Sequence, residues 1–345
     1  MNNFKNLRGT VDLLPEELIK WQNVEGVIRQ TLLRSSVKEI RTPIIEKTEL
    51  FIRVIGEGTD VVNKEMYTFL DKGERSCTLR PEGTASVARA IVNNRVSNSP
   101  LEKLWYMGPM FRYERPQAGR QRQFHQLGVE YIGYESFRSD VEIIVLAWDL
   151  LQRLGITELT LEINTLGNSI DRKNFEESFL DWLEINSSNL DSDSQKRIDK
   201  NPLRILDSKN KETQNLLEDA PKLIDFLSDE SLNRYLLIKK ELDFLKIPFK
   251  ENFKLVRGLD YYNHTAFEIT SGALGAQATV CGGGRYDNLI NQISGLKIPA
   301  IGFAIGMERL MLLAGQDLGR GRDTDIYIVN KGEIAQSIAM ALFRK

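Results

Sequence analysis

The sequence is short of the residues that build several kinds of site. Its 345 residues include two cysteines, Cys77 and Cys281, and two histidines, His125 and His264. Neither cysteine belongs to a C-x-x-C pair, so a disulfide framework, a zinc finger and an iron–sulfur centre lack their ligands. A three-histidine metal site is impossible and a Ser-His-Asp arrangement has few candidates, so no protein-bound metal is expected. No apolar run reaches the roughly 18 residues of a membrane helix. Met1 to Glu16 carries charges and Pro15 where a secretion signal would need an apolar stretch. A cytoplasmic protein without a membrane partner is therefore expected. Excess charge is also missing: 46 basic residues stand against 48 acidic ones, a net charge of −2. Any contact with nucleic acid must then come from a local patch. Finally, there is no G-x-x-x-x-G-K-S/T motif, nor a G-x-G-x-x-G opening a helix after a strand, so a bound nucleotide would be held outside the P-loop and Rossmann designs.

What remains describes a folded chain, with 41% hydrophobic and 27% charged residues. Its length exceeds one simple core of about 150 residues, which points to a large domain with an insertion or to two or three units. Leu18, Trp21, Ile28 and Leu32 recur at helical spacing behind Pro15, predicting an opening helix to about Ser35. The run VKEIRTPII has β character but contains Pro43, which suits an edge or an interrupted strand. Alternating stretches near residues 66–70, 76–79, 104–113 and 124–132 suggest an antiparallel sheet. Ser139 and Glu142 have capping-box spacing ahead of a helix with Val141, Ile144, Val145, Trp148, Leu151 and Leu154 on one face, ended by Gly155. From about Asn168 to Glu251 no glycine occurs and the composition becomes that of an inserted helical module. Strand and glycine signals return at residues 254–269 and 279–288. IPAIGFAIGMERLMLL then runs from strand to helix, and a linker precedes the strand-like IYIVN and a last helix. Strands mixed with helices, without regular βαβ alternation, give an α+β fold class.

Chemistry concentrates in four segments. FRYERPQAGRQRQFHQLGVE places Arg112, Arg115, Arg120 and Arg122 around the turn of a hairpin, with Glu114 and Phe124 among them. Forked donors, an acceptor and a flat ring suit a nucleotide, although a solvated hairpin loop has similar composition. LRPEGTAS sets Glu82 and Thr84 where a strand hands over to a helix, as a ligand-facing pair or as an ordinary helix start. LVRGLDYYNHTAFE packs Arg257, Asp260, Tyr261, Tyr262 and His264 behind a glycine, and a structural hairpin would account for it as well. CGGGRYDN allows close backbone approach to a ligand, as many plain loops also do. His264 suits a sheet position better than a general base.

Taken in order, these segments resemble a class II aminoacyl-tRNA synthetase, specifically the histidyl-tRNA synthetase family, over nearly the whole chain. RTPIIEKTELF is similar to motif 1, FRYERPQAGRQRQFHQLGVE to motif 2, and IPAIGFAIGMERL, ending in Arg309, to motif 3. LVRGLDYYNHTAFEI, CGGGRYDNLI and LRPEGTAS resemble the signatures that single out histidine. The resemblance implies an antiparallel sheet flanked by helices and a homodimer formed through the motif 1 region. It divides the chain into a catalytic core at 1–167 and 252–318, a helical insertion at 168–251, and only the start of an α/β anticodon-binding domain at 324–345. It implies ATP as substrate, with Mg²⁺, alongside L-histidine and histidine tRNA. By position, Glu82, Gly83, Thr84, Gln126 and Glu130 would receive the ammonium of histidine, and Tyr261 and Tyr262 its imidazole. Arg112 and Arg257 would flank the α-phosphate as catalytic groups. Glu114 would read adenine, Phe124 stack on it, and Arg309 lie on the opposite face or near the γ-phosphate. Arg115 and Gln117 would meet the acceptor end of tRNA. The rival implied by the same fold is a non-catalytic, synthetase-like regulatory subunit of ATP phosphoribosyltransferase, of similar length; against it, the motif positions stand intact.

Overall fold

In a computed structural model of the chain, residues 4–95, 101–199, 201–208, 210–256, 259, 261–277, 279–315, 318, 328–329 and 331–343 are described. The opening helix forms where its spacing puts it. α1 (Pro15–Arg34) begins with proline, has Glu16 and Glu17 in its first turn and Arg34 in its last, and buries Trp21, Val24, Ile28 and Leu32. That charge order complements the helix dipole. The β-type run after it is split around Pro43, whose missing N–H cannot serve a ladder. β1 (Lys38–Glu39) and β2 (Ile45–Lys47) consequently join different sheets. A small antiparallel sheet is formed by β2 with β3 (Tyr67–Leu70) and β4 (Ser76–Leu79), in the order β2-β4-β3, beside α2 (Thr48–Ile55). The chain then enters α3 (Thr84–Arg95).

The large sheet has eight strands. β5 (Glu102–Phe111), β6 (Gln123–Ile132), β7 (Leu159–Thr165), β8 (Phe249–Glu251), β9 (Asn263–Ser271), β10 (Thr279–Arg285) and β11 (Ala300–Gly306) join β1 in the order β1-β5-β6-β11-β10-β9-β7-β8. The six inner strands are antiparallel, as expected, and only the short edge strands β1 and β8 pair in parallel. Alternation along β6 sends Leu127, Val129 and Tyr131 into the core beneath α1 and α4. Its intervening residues Gln126, Gly128 and Glu130 therefore face the other side of the sheet.

α4 (Phe137–Arg153) buries more than the one face its spacing suggests: Ile143, Leu146, Ala147 and Leu150 are covered along with Val141, Ile144, Trp148 and Leu151. It touches β11, α1 and α8 (Asp229–Phe244), and a helix packed on several sides is apolar on several sides. The expected capping box at Ser139 and Glu142 is not what starts this helix. Ser136 is the N-cap, its hydroxyl accepting from Arg138 N at 3.3 Å. Ser139 lies inside the first turn and donates to Ser136 O at 2.6 Å, while Glu142 binds Lys103 and the Tyr131 hydroxyl. Ser139 also accepts from Arg285 at 2.9 Å, so both side chains have distant partners, which local spacing does not report. Gly155, at φ +72°, closes the helix as expected.

Between β7 and α8, α5 (Ser169–Asn186), α6 (Ser192–Gln195) and α7 (Lys211–Leu216) pack on a separate core that includes Phe175, Phe179, Leu183, Ile205 and Leu217. α8 returns to the large sheet and contributes Tyr235, Ile238 and Leu242 to the main core. α9 (Leu289–Ser294), α10 (Met307–Leu313) and α11 (Glu333–Phe343) complete the described helices. Of the strand expected at 326–330, only residues 328 and 329 are described, and neither is in a strand.

Candidate functional site

On the face of the large sheet away from α1 and α4, the floor is made of residues with almost no side chain. Gly302 and Ala304 of β11 pair with Glu130 and Gly128 of β6 on one side and with Gly284 and Gly282 of β10 on the other. A cleft of about 600 Å³ opens over this floor, with Gly282, Gly302, Ala304 and Gly306 in its lining. The absence of side chains is enforced at Gly302. A Cβ there would lie 2.0 Å from Glu130 Oε2 and 2.4 Å from the Val129 carbonyl oxygen.

One end of the cleft is acidic and phenolic. Glu82 ends the segment after β4, only 2% exposed, and its carboxylate accepts Thr84 N at 2.7 Å and Ala85 N at 2.8 Å at the start of α3. It thus satisfies amides that a helix start leaves open. Burial raises its pKa even so, against the pull of those amides. Glu130, 1% exposed on β6, accepts the Thr84 hydroxyl at 2.7 Å and a short bond from the Tyr286 hydroxyl. Burial pushes its carboxyl up to about 8, with the two hydroxyls pulling it down and Glu82 adding to the rise. Gln126 Oε1 accepts both Gly83 N and the Tyr106 hydroxyl at 3.2 Å. The backbone N–H can only donate, which fixes that amide oxygen inward. Tyr261, Tyr262 and Tyr286 form one aromatic group, with ring centroids 4.7 to 6.2 Å apart.

The other end is cationic. The β5–β6 hairpin closes with Arg112 N donating to Arg122 O at 2.9 Å and with a Gln117–Arg120 bridge at its tip. Arg112 is anchored by Nε to Pro81 O at 2.8 Å and lies over the Phe124 ring, 5.4 Å from its centroid. Glu114 sits between Arg112 and Arg120, at 3.7 and 3.5 Å. From α10, Arg309 donates to Thr279 O at 2.8 Å; burial first, then Arg120, pull it below the ordinary guanidinium value. Arg112, Arg120 and Arg309 therefore bring positive charge to one region from two separate parts of the sequence.

Of the residues singled out from sequence, Glu82, Thr84, Arg112, Glu114, Phe124, Gln126, Glu130, Tyr261, Tyr262 and Arg309 all line this cleft. Gly83 is beside it through its bond to Gln126. Arg115 and Gln117 are exposed on the hairpin and are not part of the lining, while Arg257 and Asp260 lie outside the described residues. His264 is a β9 residue paired with Gly167 and Leu166 through its backbone, and neither histidine lines the cleft. Among the described residues, no group of three or more His, Cys, Asp or Glu side chains is placed to hold a metal ion.

Comparison with known proteins decides the family. Residues 9–310 match the family model for histidyl-tRNA synthetase. A histidine–tRNA ligase of Prochlorococcus marinus (strain MIT 9515) is 74% identical over all 345 residues, which span 80% of that protein. The chain belongs to the histidyl-tRNA synthetase family. A histidine–tRNA ligase of Synechococcus sp. (strain WH7803) is 59% identical, across the whole of this chain and 80% of its own. The apo histidyl-tRNA synthetase of S. aureus superposes with a TM-score of 0.81 at 39% identity, over 99% of this chain and 82% of that one. The α+β arrangement is accordingly that of a class II synthetase. Two residues of the synthetase's cleft region are not singled out by its sequence. Tyr286 stands within CGGGRYDN, where the glycines are the more evident signal. Tyr106, on the cleft side of β5, fits only because Gly83 and Gly128 leave room: a Cβ at either would fall 2.2 or 2.1 Å from its ring. The facing pair of glycines was the available signal.

Proposed function

We propose that the protein is a histidine–tRNA ligase that first joins L-histidine to ATP as histidyl adenylate, releasing pyrophosphate, and then transfers histidine to the 3′ end of histidine tRNA. The observation that carries this reading is the polarity of one cleft, two buried carboxylates at one end and converging guanidinium groups at the other. An amino acid needs an anionic seat for its ammonium, and a triphosphate needs cations. Glu82 and Glu130, with Gly83, Thr84 and Gln126, receive and orient the ammonium end of histidine, and Tyr261 and Tyr262 recognise its imidazole. A pocket of hydroxyls and carboxylates rejects apolar side chains of the same size, because its polar groups would be left unpaired.

ATP lies toward the hairpin, with Phe124 stacked on adenine, Glu114 at its edge, and Arg309 on the far face or near the γ-phosphate. Mg²⁺ enters with the ATP phosphates. The histidine carboxylate attacks the α-phosphorus in line, and Arg112 stabilises the charge that grows there as the bond to pyrophosphate breaks. Arg257 shares that task by its place in the LVRGLDYYNH motif. In the second step a terminal ribose hydroxyl of tRNA attacks the adenylate carbonyl and AMP leaves, with Arg115 and Gln117 meeting the acceptor end from the hairpin. Residues 1–167 and 252–318 form the catalytic core, 168–251 the insertion, and 324–345 the start of an anticodon-binding domain. The protein acts in the cytoplasm as a homodimer; no described helix is long and apolar enough to cross a membrane.

The test is exchange of labelled pyrophosphate into ATP without tRNA, with each amino acid in turn. Exchange with histidine alone is expected. Histidine binding without exchange would replace this reading by that of a regulatory subunit, the other activity named for a Bacillus halodurans structure with which this chain shares the fold at 23% identity and a TM-score of 0.67.

A further inference from the structure

The ladder between β9 and β10 is interrupted beside the tyrosine cluster. Gly284 pairs with Ala266, but the next residue, Arg285, pairs with Asn263, so His264 and Thr265 are passed over and His264 takes a left-handed φ of +46°. Backbone pairing with β9 therefore does not set the position of Tyr286, which follows at once, although the β11 ladder continues through Arg285 paired with Ile301. A buried ion network stands in for the β9 side. Arg285, 1% exposed, donates Nε to both oxygens of Asp140, at 3.1 and 3.2 Å, and Nη2 to Asp140 at 2.6 Å and Ser139 at 2.9 Å. Its Nη1 serves Tyr134 O and Asp287, each at 3.0 Å. Asp140 is fully buried and takes further bonds from Arg234 and from Thr265, one of the passed-over residues.

Asp287 completes the frame. It accepts Ala300 N at 3.1 Å and Asn263 Nδ2 at 3.0 Å, and its own N–H returns to Asn263 Oδ1 at 3.0 Å. The end of β10 and the starts of β9 and β11 are thereby tied together. Tyr286 lies between the two tied residues, its N–H on Ala300 O at 2.8 Å and its hydroxyl on Glu130. Tyr261 and Tyr262 immediately precede Asn263.

Buried charges are a poor source of stability, since apolar replacements often do as well, but they fix geometry where a single arrangement satisfies every donor. We infer that Asp140, Arg285 and Asp287 are positioning residues for the histidine end of the cleft: they make up for the interrupted β9 pairing and, with the β11 ladder, aim Tyr286, Tyr261 and Tyr262 at the amino acid. The inference rests on the proposed reading of that end as the histidine seat. Its effect should fall on histidine recognition and leave ATP recognition alone, because Arg112 and Phe124 are held by other elements and Arg309 is anchored at the opposite end of β10, on Thr279 O.

Pyrophosphate exchange on the full chain decides it, with histidine and ATP varied separately and melting temperature recorded. Arg285→Lys keeps the charge but loses the fork, and Asp287→Asn, at a partly exposed position, keeps the shape. Both should raise KM for histidine about tenfold while KM for ATP stays within about twofold, and Tyr286→Phe should move KM for histidine in the same direction. If Arg285→Lys does not fold, Asp287→Asn alone carries the decision. Equal rises in both KM values, or a lowered melting temperature with KM for histidine unchanged, overturn the positioning role. Should Tyr286→Phe raise KM for histidine while the folded Arg285 and Asp287 variants do not, the network fails and the histidine seat stands. A wild-type protein without histidine-dependent exchange removes the seat, and the inference with it.

Discussion

Glu130 offers the sharpest test of the acidic end. Its carboxyl is pushed by burial to about 8, from an ordinary 4.5. In the empty protein at pH 7 it is therefore mostly protonated, and the Thr84 and Tyr286 hydroxyls can turn from donor to acceptor to take that proton. The folded chain binds more protons than the unfolded chain between pH 4.5 and 8, so this group favours folding most at low pH, and the advantage is lost as pH rises toward 8. By pH 7 the difference amounts to about 3 kcal/mol. An ammonium placed beside Glu130 reverses the balance by favouring the carboxylate. Histidine binding at pH 7 should then expel about one proton from the protein.

Calorimetry of histidine binding in buffers with different ionisation enthalpies measures that proton as a slope. Glu130→Gln removes the titrating group and keeps the shape. It should abolish the release, weaken histidine binding on the order of tenfold to a hundredfold, and flatten the decline of apo melting temperature between pH 5 and 8. Any proton taken up or lost by the imidazole of the ligand is common to both proteins, so the difference between their slopes belongs to Glu130. A wild-type slope equal to that of Glu130→Gln would refute the reasoning, because the buried carboxyl would then have been ionised before the ligand arrived.

Two further outcomes follow from the same geometry. Gly302→Ala puts a methyl group against the Val129 carbonyl oxygen as well as against Glu130, and a backbone oxygen cannot swing away. A loss of about 1–3 kcal/mol in stability, read from thermal unfolding, should accompany a raised KM for histidine; an unchanged protein would show that the floor is not tight. Arg112→Ala should lower kcat for exchange by about a hundredfold or more while KM for histidine stays within a few-fold, and a loss confined to KM would make Arg112 a binding group only.

Local signals were legible wherever one residue type forces one outcome. Pro15 opens α1, Pro43 divides a β-type run between two sheets, and Gly155 ends α4. Alternation along β6 separates core from cleft because the side-chain period of a strand is two. Ten of the residues singled out for the site converge on one cleft, although they come from segments up to 227 positions apart, Glu82 to Arg309. What the sequence hid has long-range causes. Ser139 looks like a cap until Arg285, 146 positions away, is seen to occupy its hydroxyl. The β9–β10 interruption is invisible for a similar reason, since a register shift is a property of two strands and neither strand shows it alone.

The acidic end also shows why stability and function pull in different directions here. Burying two carboxyl groups until they are 1–2% exposed raises the pKa of both, with Glu82 adding to the rise at Glu130, and each rise is work done against the folded state at neutral pH. A fold under selection for stability alone would fill that position with apolar side chains. Instead the surroundings supply partial compensation: two amides at the start of α3 for Glu82 and two hydroxyls for Glu130. Such compensation keeps the carboxyls oriented but does not restore their ordinary acidity, and a cation that enters gains by favouring their charged form. On this argument the empty site should be the least stable part of the large sheet and its helices near pH 8, and histidine should protect the start of α3 and the β6 segment from hydrogen exchange before it protects the hairpin.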